Sequence, residues 1–153
     1  MNTTIQIAPA NATDIPALCQ LLGVLFSQEA EFTANPTAQS KGLSAIIDRP
    51  EVGQVFVARS GGDVVGIVSL LYTVSTALGG RVALLEDMIV SPSSRGAGIG
   101  AALLSHAIEF AQSQGCKRIT LMTDRSNAAA QRFYQTHGFA ASAMVPMRLI
   151  LEQ

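Results

Sequence analysis

The chain has 153 residues, a length that suits one domain. Hydrophobic residues make up 48%, which excludes a disordered chain, and the formal net charge of −1 lacks the basic excess of a bulk nucleic-acid binder. Charged residues are only 14%, against roughly 25% in an average soluble protein, so a second copy is expected to cover some apolar surface, as in a homodimer.

The two cysteines, Cys19 and Cys116, lie far apart and outside any CxxC or Cys/His spacing. Neither a disulfide scaffold nor a metal site is expected, and a reducing compartment is the simplest context. No Lys or Arg precedes Lys41, so the basic head of a signal peptide is missing. The longest uncharged run, residues 64–80, is rich in Val, Ile, Thr and Tyr and holds three glycines. It reads as strands and a turn rather than a membrane span. The cytoplasm is therefore the expected location, with no membrane as partner.

In chain order, residues 4–8 alternate polar and apolar and read as a strand ended by Pro9. Thr13 is placed to cap a helix whose first turn holds Asp14 and Pro16, with Ile15, Leu18, Leu22, Leu25 and Phe26 as its apolar stripe. A polar stretch over residues 28–39 leads to a second short helix at about 40–47, stopped by Pro50. Residues 54–59 and 64–74 read as strands joined by the hairpin signal Gly61-Gly62-Asp63. Gly79-Gly80 makes the next turn, and residues 82–90 follow as a buried strand. A helix is expected over about 98–114, with Leu103, Leu104, Ala107, Ile108 and Ala111 inward and Gly115 at its end. Residues 119–122 read as a strand, 127 to about 137 as a helix closed by Gly138, and 139–151 as one or two last strands. The sum is a single α+β domain over residues 1–153, with no internal repeat.

The most informative segment runs from Leu84-Leu85-Glu86-Asp87-Met88-Ile89-Val90 through Ser91-Pro92-Ser93-Ser94 to Arg95-Gly96-Ala97-Gly98-Ile99-Gly100-Ala101. A strand ends, the chain turns, and three alternating glycines open a helix. Glycines let backbone N–H groups approach a ligand closely, and the helix start suits a phosphate, with Arg95 adding a positive charge. A tight turn whose glycines only ease packing would look the same. No Gly-Lys-Ser/Thr follows, which excludes a nucleotide P-loop. Gly96-x-Gly98-x-x-Ala101 satisfies a dinucleotide fingerprint, with Asp124 where a ribose-binding acid could sit. Only 29 residues follow Asp124, too few for the second half of a doubly wound sheet.

At these residues the chain resembles the GNAT superfamily of acyl-coenzyme-A-dependent N-acyltransferases. The family signature, Arg/Gln-x-x-Gly-x-Gly/Ala, is met by Arg95-Gly96-Ala97-Gly98-Ile99-Gly100. A second match has Asn127, then Tyr134 seven residues later, then Gly138-Phe139. The resemblance implies a mixed, mostly antiparallel sheet of about six to seven strands, splayed after its fourth strand and flanked by about four helices.

It also implies acetyl-CoA as co-substrate, with its pantetheine arm paired to the backbone of Met88, Ile89 and Val90. The amides of Gly96, Ala97, Gly98, Ile99, Gly100 and Ala101, with Arg95, would hold the pyrophosphate. Asn127 would bind the pantetheine or thioester region, although a helix N-cap is an equal reading. Tyr134 would be the general acid toward the CoA sulfur, or would simply pack its helix beside Phe133. A primary amine acceptor must lose a proton, and Glu86 is the expected base, through water. Asp87 is expected on the opposite strand face, binding acceptor. Phe26 and Glu29, in the region of the first two helices, are further acceptor-binding candidates. His106 and His137 read as structural. The expected reaction is direct attack by a small-molecule or protein amine in a ternary complex. A non-catalytic acyl-CoA-binding regulatory module is the alternative, and a dinucleotide-binding protein a more distant one.

Overall fold

The β-branched runs on either side of the Gly61-Gly62 turn form the centre of a five-stranded sheet in the computed structural model, which describes residues 4–28 and 34–152. Strands β1 (Ile5–Pro9), β2 (Gly53–Ser60), β3 (Asp63–Ser75) and β4 (Gly80–Val90) pair antiparallel in chain order, and β5 (Ile119–Leu121) joins β4 in parallel. Helices α1 (Ile15–Gln28), α2 (Pro36–Ile47), α3 (Ile99–Ser113) and α4 (Ala128–Gln135) complete the order. None of the described helices is long and apolar enough to cross a membrane. The chain divides into two compact units, residues 1–122 and 123–153.

In the first unit, alternation along the strands feeds two cores. Val55, Val57, Ile67 and Ile89 on one sheet face pack with Leu18, Leu21 and Leu22 of α1 and Leu43 of α2. On the other face Phe56 meets the rings of His106 and Phe110 of α3 edge-on, at 4.6 and 5.0 Å. Helix α3 lies so close to β3 that a methyl group at Gly66 would come within 2.7 Å of Leu103 Cδ1.

Helix starts differ from the sequence expectation for a local reason. Asn11, not Thr13, is the cap: its side chain accepts the Thr13 N–H while Asp14 accepts the Asn11 N–H, which encloses a short 3-10 turn (Ala12–Asp14) ahead of α1. Asn35 likewise caps α2 at Ala38 with Pro36 in the first turn, so the helix begins four residues earlier than Ser40. Asp14 is buried and also pairs with Arg59 Nη2 at 2.7 Å, tying the start of α1 to the end of β2.

The second unit is α4 and the chain after it. Residues 139–151, expected as one or two strands, form none, so the described sheet has five strands rather than six or seven. A strand exists only through a neighbour's backbone, Pro146 removes one N–H donor, and among the described residues of this unit the only regular element is a helix.

Two outcomes test this packing. Burial pushes the Asp14 carboxyl up, but hydrogen bonds from Arg59 and Asn11, with the Arg59 charge, outweigh it and hold the group below the ordinary aspartate range. Its contribution is therefore present above the unfolded value of about 4 and is lost as pH falls through the folded one. Asp14→Asn should cost about 1–3 kcal/mol at neutral pH, with the gap to wild type closing in acid, as read by urea melts. Gly66→Ala should cost about 1–3 kcal/mol by overpacking against Leu103, measured the same way.

Candidate functional site

Strand β5 is three residues long and pairs only with Ala83, Leu84 and Leu85. β4 continues beyond it to Val90, paired on its inner side with β3 through Val68↔Met88, Ile67↔Ile89 and Gly66↔Val90. The outer edge of residues 86–90 has no strand partner among the described residues. Apart from the Val90 carbonyl, which accepts from Arg95 Nε, its outward N–H and C=O groups form a template that an extended ligand can pair with.

The ladder between β3 and β4 breaks at the head of this edge. Leu70 faces Leu85 and Val68 faces Met88, so Ser69 alone opposes the two residues Glu86 and Asp87. This is a β-bulge. Leu85 and Met88 share one sheet face although they are three residues apart, which puts Glu86 and Asp87 together on the other face, with Ser69. The expectation that the two carboxylates point to opposite faces is thereby corrected; the extra residue resets the alternation. Their face is the one that Ile67 and Ile89 present to α1 and α2.

Glu86 is exposed, whereas Asp87 is half-buried. Asp87 donates its N–H to Ser69 Oγ at 3.1 Å and accepts the Ser69 hydroxyl at Oδ2 at 3.0 Å. Burial pushes the Asp87 carboxyl above the ordinary aspartate range, the Ser69 hydrogen bond pulls against it, and the Glu86 charge adds to the rise. Ser69 was not singled out from the sequence. Its only signal there is a lone hydroxyl between Val68 and Leu70.

After β4, a 3-10 turn (Pro92–Ser94) leads into the glycines. Arg95 is exposed and its Nε donates to the Val90 carbonyl at 3.1 Å, which folds the turn back on the strand end. Gly96 and Gly98 have φ of +87° and +79°, and a Cβ at either would meet nothing within 4 Å. Backbone conformation, rather than crowding, therefore requires glycine there. Gly98 precedes α3 and brings no capping side chain, and the bond from Ala102 N–H to Gly98 O opens the helix. The amides of Ile99, Gly100 and Ala101 thus lack intrahelical acceptors, at the positive end of the helix dipole. The Ile99 side chain is buried in the core, while Ala97 is exposed and Gly100 and Ala101 are half-buried.

In the second unit Asn127 caps α4, its Oδ1 accepting the Ala130 N–H at 3.0 Å. The helix closes with Gly138 at φ +95°, Phe139 N–H bonded to Tyr134 O and Gly138 N–H bonded to Gln135 O. This closure brings the Phe139 ring edge-on to Tyr134, 5.7 Å between centroids, with Phe133 at 5.3 Å. The Gly-Phe pair after Tyr134 therefore has a local task, which is to hold that ring. His137 Nδ1 lies 3.0 Å from the Phe133 carbonyl, at the helix end, and Arg132 is exposed. Of the acceptor candidates, Phe26 packs half-buried against the α1–α2 core, and Glu29 lies outside the described residues.

A model of the acetyltransferase (GNAT) family matches residues 17–139. The glucosamine 6-phosphate N-acetyltransferase of Trypanosoma brucei brucei is 32% identical over 142 residues, covering 90% of either chain. An integron cassette protein from a salt-marsh metagenome superposes with a TM-score of 0.84 at 26% identity, over 97% of this chain and 91% of its own. An aminoglycoside N-acetyltransferase solved with CoA has the same fold, with a TM-score of 0.83 at 19% identity, over 99% of this chain and 97% of its own. The match spans the open β4 edge, the glycine turn and the Asn127–Phe139 segment, and the chain belongs to the GNAT acetyltransferase family, as an N-acetyltransferase.

Proposed function

We propose that the protein moves the acetyl group of acetyl-CoA to a primary amine by direct attack in a ternary complex. The observation that carries this reading is the outer edge of residues 86–90, without a strand partner among the described residues and followed, after the 3-10 turn, by the glycine turn. An extended pantetheine arm can add to the backbone of Met88, Ile89 and Val90 as a further strand would. The pyrophosphate then falls to the amides of residues 96–101 and to Arg95, where helix-start N–H groups and a guanidinium favour an anion.

The acceptor arrives protonated, since a primary amine has a pKa of about 10. Asp87, with Glu86 beside it on one face, suits the ammonium form. Glu86 is exposed and takes the proton through water, freeing the nitrogen lone pair to attack the thioester carbonyl. The C–S bond breaks as the amide forms, the departing thiolate takes a proton from Tyr134, and the second proton lost by the nitrogen returns through water to the tyrosinate; the role of Tyr134 rests on the motif match of Asn127, Tyr134 and Gly138-Phe139. Asn127 uses its Oδ1 in the cap, which leaves its amide donors for the pantetheine. Phe26 and Glu29 complete the acceptor side. An amino sugar, the class named in the Trypanosoma relative, belongs in any acceptor panel.

Calorimetry with acetyl-CoA, desulfo-CoA and NADH tests the ligand class. Binding of about one CoA ligand per chain and none of NADH is expected; no CoA binding would sink the reading. Gly98→Glu should abolish that binding, through backbone strain and a charge set against phosphate. Tyr134→Phe should slow turnover while leaving acetyl-CoA affinity nearly intact, because only the proton donor is lost. An unchanged rate would remove Tyr134 from the mechanism.

A further inference from the structure

Among the described residues, the centre of β3 is buried from Val65 to Leu70, and Ser69 is its only polar side chain, fully buried opposite Val55 of β2. A hydroxyl at such a position must be partnered or it costs stability. Both of its partners belong to one residue. Asp87 gives its N–H to Ser69 Oγ, and Ser69 gives its proton to Asp87 Oδ2. A bulge leaves part of the ladder unpaired, and here the serine oxygen accepts the Asp87 N–H. The two bonds also close a ring that restrains the Asp87 side chain.

We propose that Ser69 is the positioning residue of the acceptor site. Its hydroxyl closes the β4 bulge and holds the Asp87 carboxylate on the face that it shares with Glu86. The inference rests on the acetyl-transfer reading for what Asp87 binds, but the Ser69–Asp87 pair stands on geometry alone. Without the hydroxyl, Asp87 loses a donor to Oδ2 and an acceptor for its N–H, so the carboxyl turns or protonates. The charged group acting on it is then Glu86, its neighbour along β4, which favours the neutral form.

The test compares wild type with Ser69→Ala and with Ser69→Thr, which keeps a hydroxyl and suits a strand. Carboxyl carbon NMR, assigned with Asp87→Asn, follows the Asp87 titration. Steady-state rates use glucosamine 6-phosphate and spermidine as amine probes, and calorimetry reads acetyl-CoA affinity. In Ser69→Ala the Asp87 titration should move to higher pH, and the acid limb of kcat/KM should move the same way. KM for the amine should rise about tenfold with acetyl-CoA affinity unchanged, and Ser69→Thr should recover the wild-type values. A Ser69→Ala enzyme with the wild-type titration and amine KM would overturn the proposal. So would equal losses of amine and acetyl-CoA affinity, which mark general disruption. If Ser69→Ala does not fold, Ser69→Cys, of similar shape with a weaker donor, takes its place under the same criteria. If neither amine turns over, the acetyl-transfer reading loses support while the carboxyl titration still decides the role of Ser69.

Discussion

The parallel ladder between β4 and β5 stops at Leu85 and Leu121, while β4 runs on to Val90. An unpaired strand edge in the middle of a protein is costly unless something satisfies its N–H and C=O groups. Here the stretch without a strand partner lies between a bulge at one end and, beyond a 3-10 turn, the glycine turn at the other. The three features form one continuous strip of backbone. Such a strip is built from main-chain atoms and demands few particular side chains, so the glycines, needed for conformation, are its clearest mark in the sequence.

The bulge decides the chemistry on the sheet face next to that strip. In a regular strand, consecutive carboxylates would be divided between the α3 face and the α1–α2 face. The extra residue puts both on the α1–α2 side, where one is exposed and the other half-buried against a fully buried serine. Two adjacent carboxylates in unlike surroundings are suited to unlike tasks, one near water and one held by hydrogen bonds. The second unit shows the same economy of local construction. A left-handed glycine ends α4, and the turn it makes delivers Phe139 to the Tyr134 ring.

Local chemistry in the chain was enough for the elements whose signals are short-range. The Gly61-Gly62 hairpin, the glycine turn before α3, the Gly138 closure of α4 and the two cores behind Leu18 and Leu103 all follow from turn preference and hydrophobic period. The caps at Asn11 and Asn35 were not read from the sequence, which pointed to Thr13 for the first helix and to a start near residue 40 for the second. Those cases are settled by which side chain finds its reciprocal partner, Asp14 for Asn11, and Asp14 is drawn in by Arg59 from a distant strand.

The order of strands and helices as far as α4, the glycine turn before α3 and the family resemblance were determined by the sequence itself, because each rests on residues within a few positions of one another. Only the tertiary structure decided where β5 stops alongside β4, that residues 139–151 form no strand, and that Glu86 and Asp87 share a face with Ser69. The physical reason is common to all three. Strand pairing and register are relations between backbones far apart in the chain, and a one-residue slip turns every side chain beyond it to the other face.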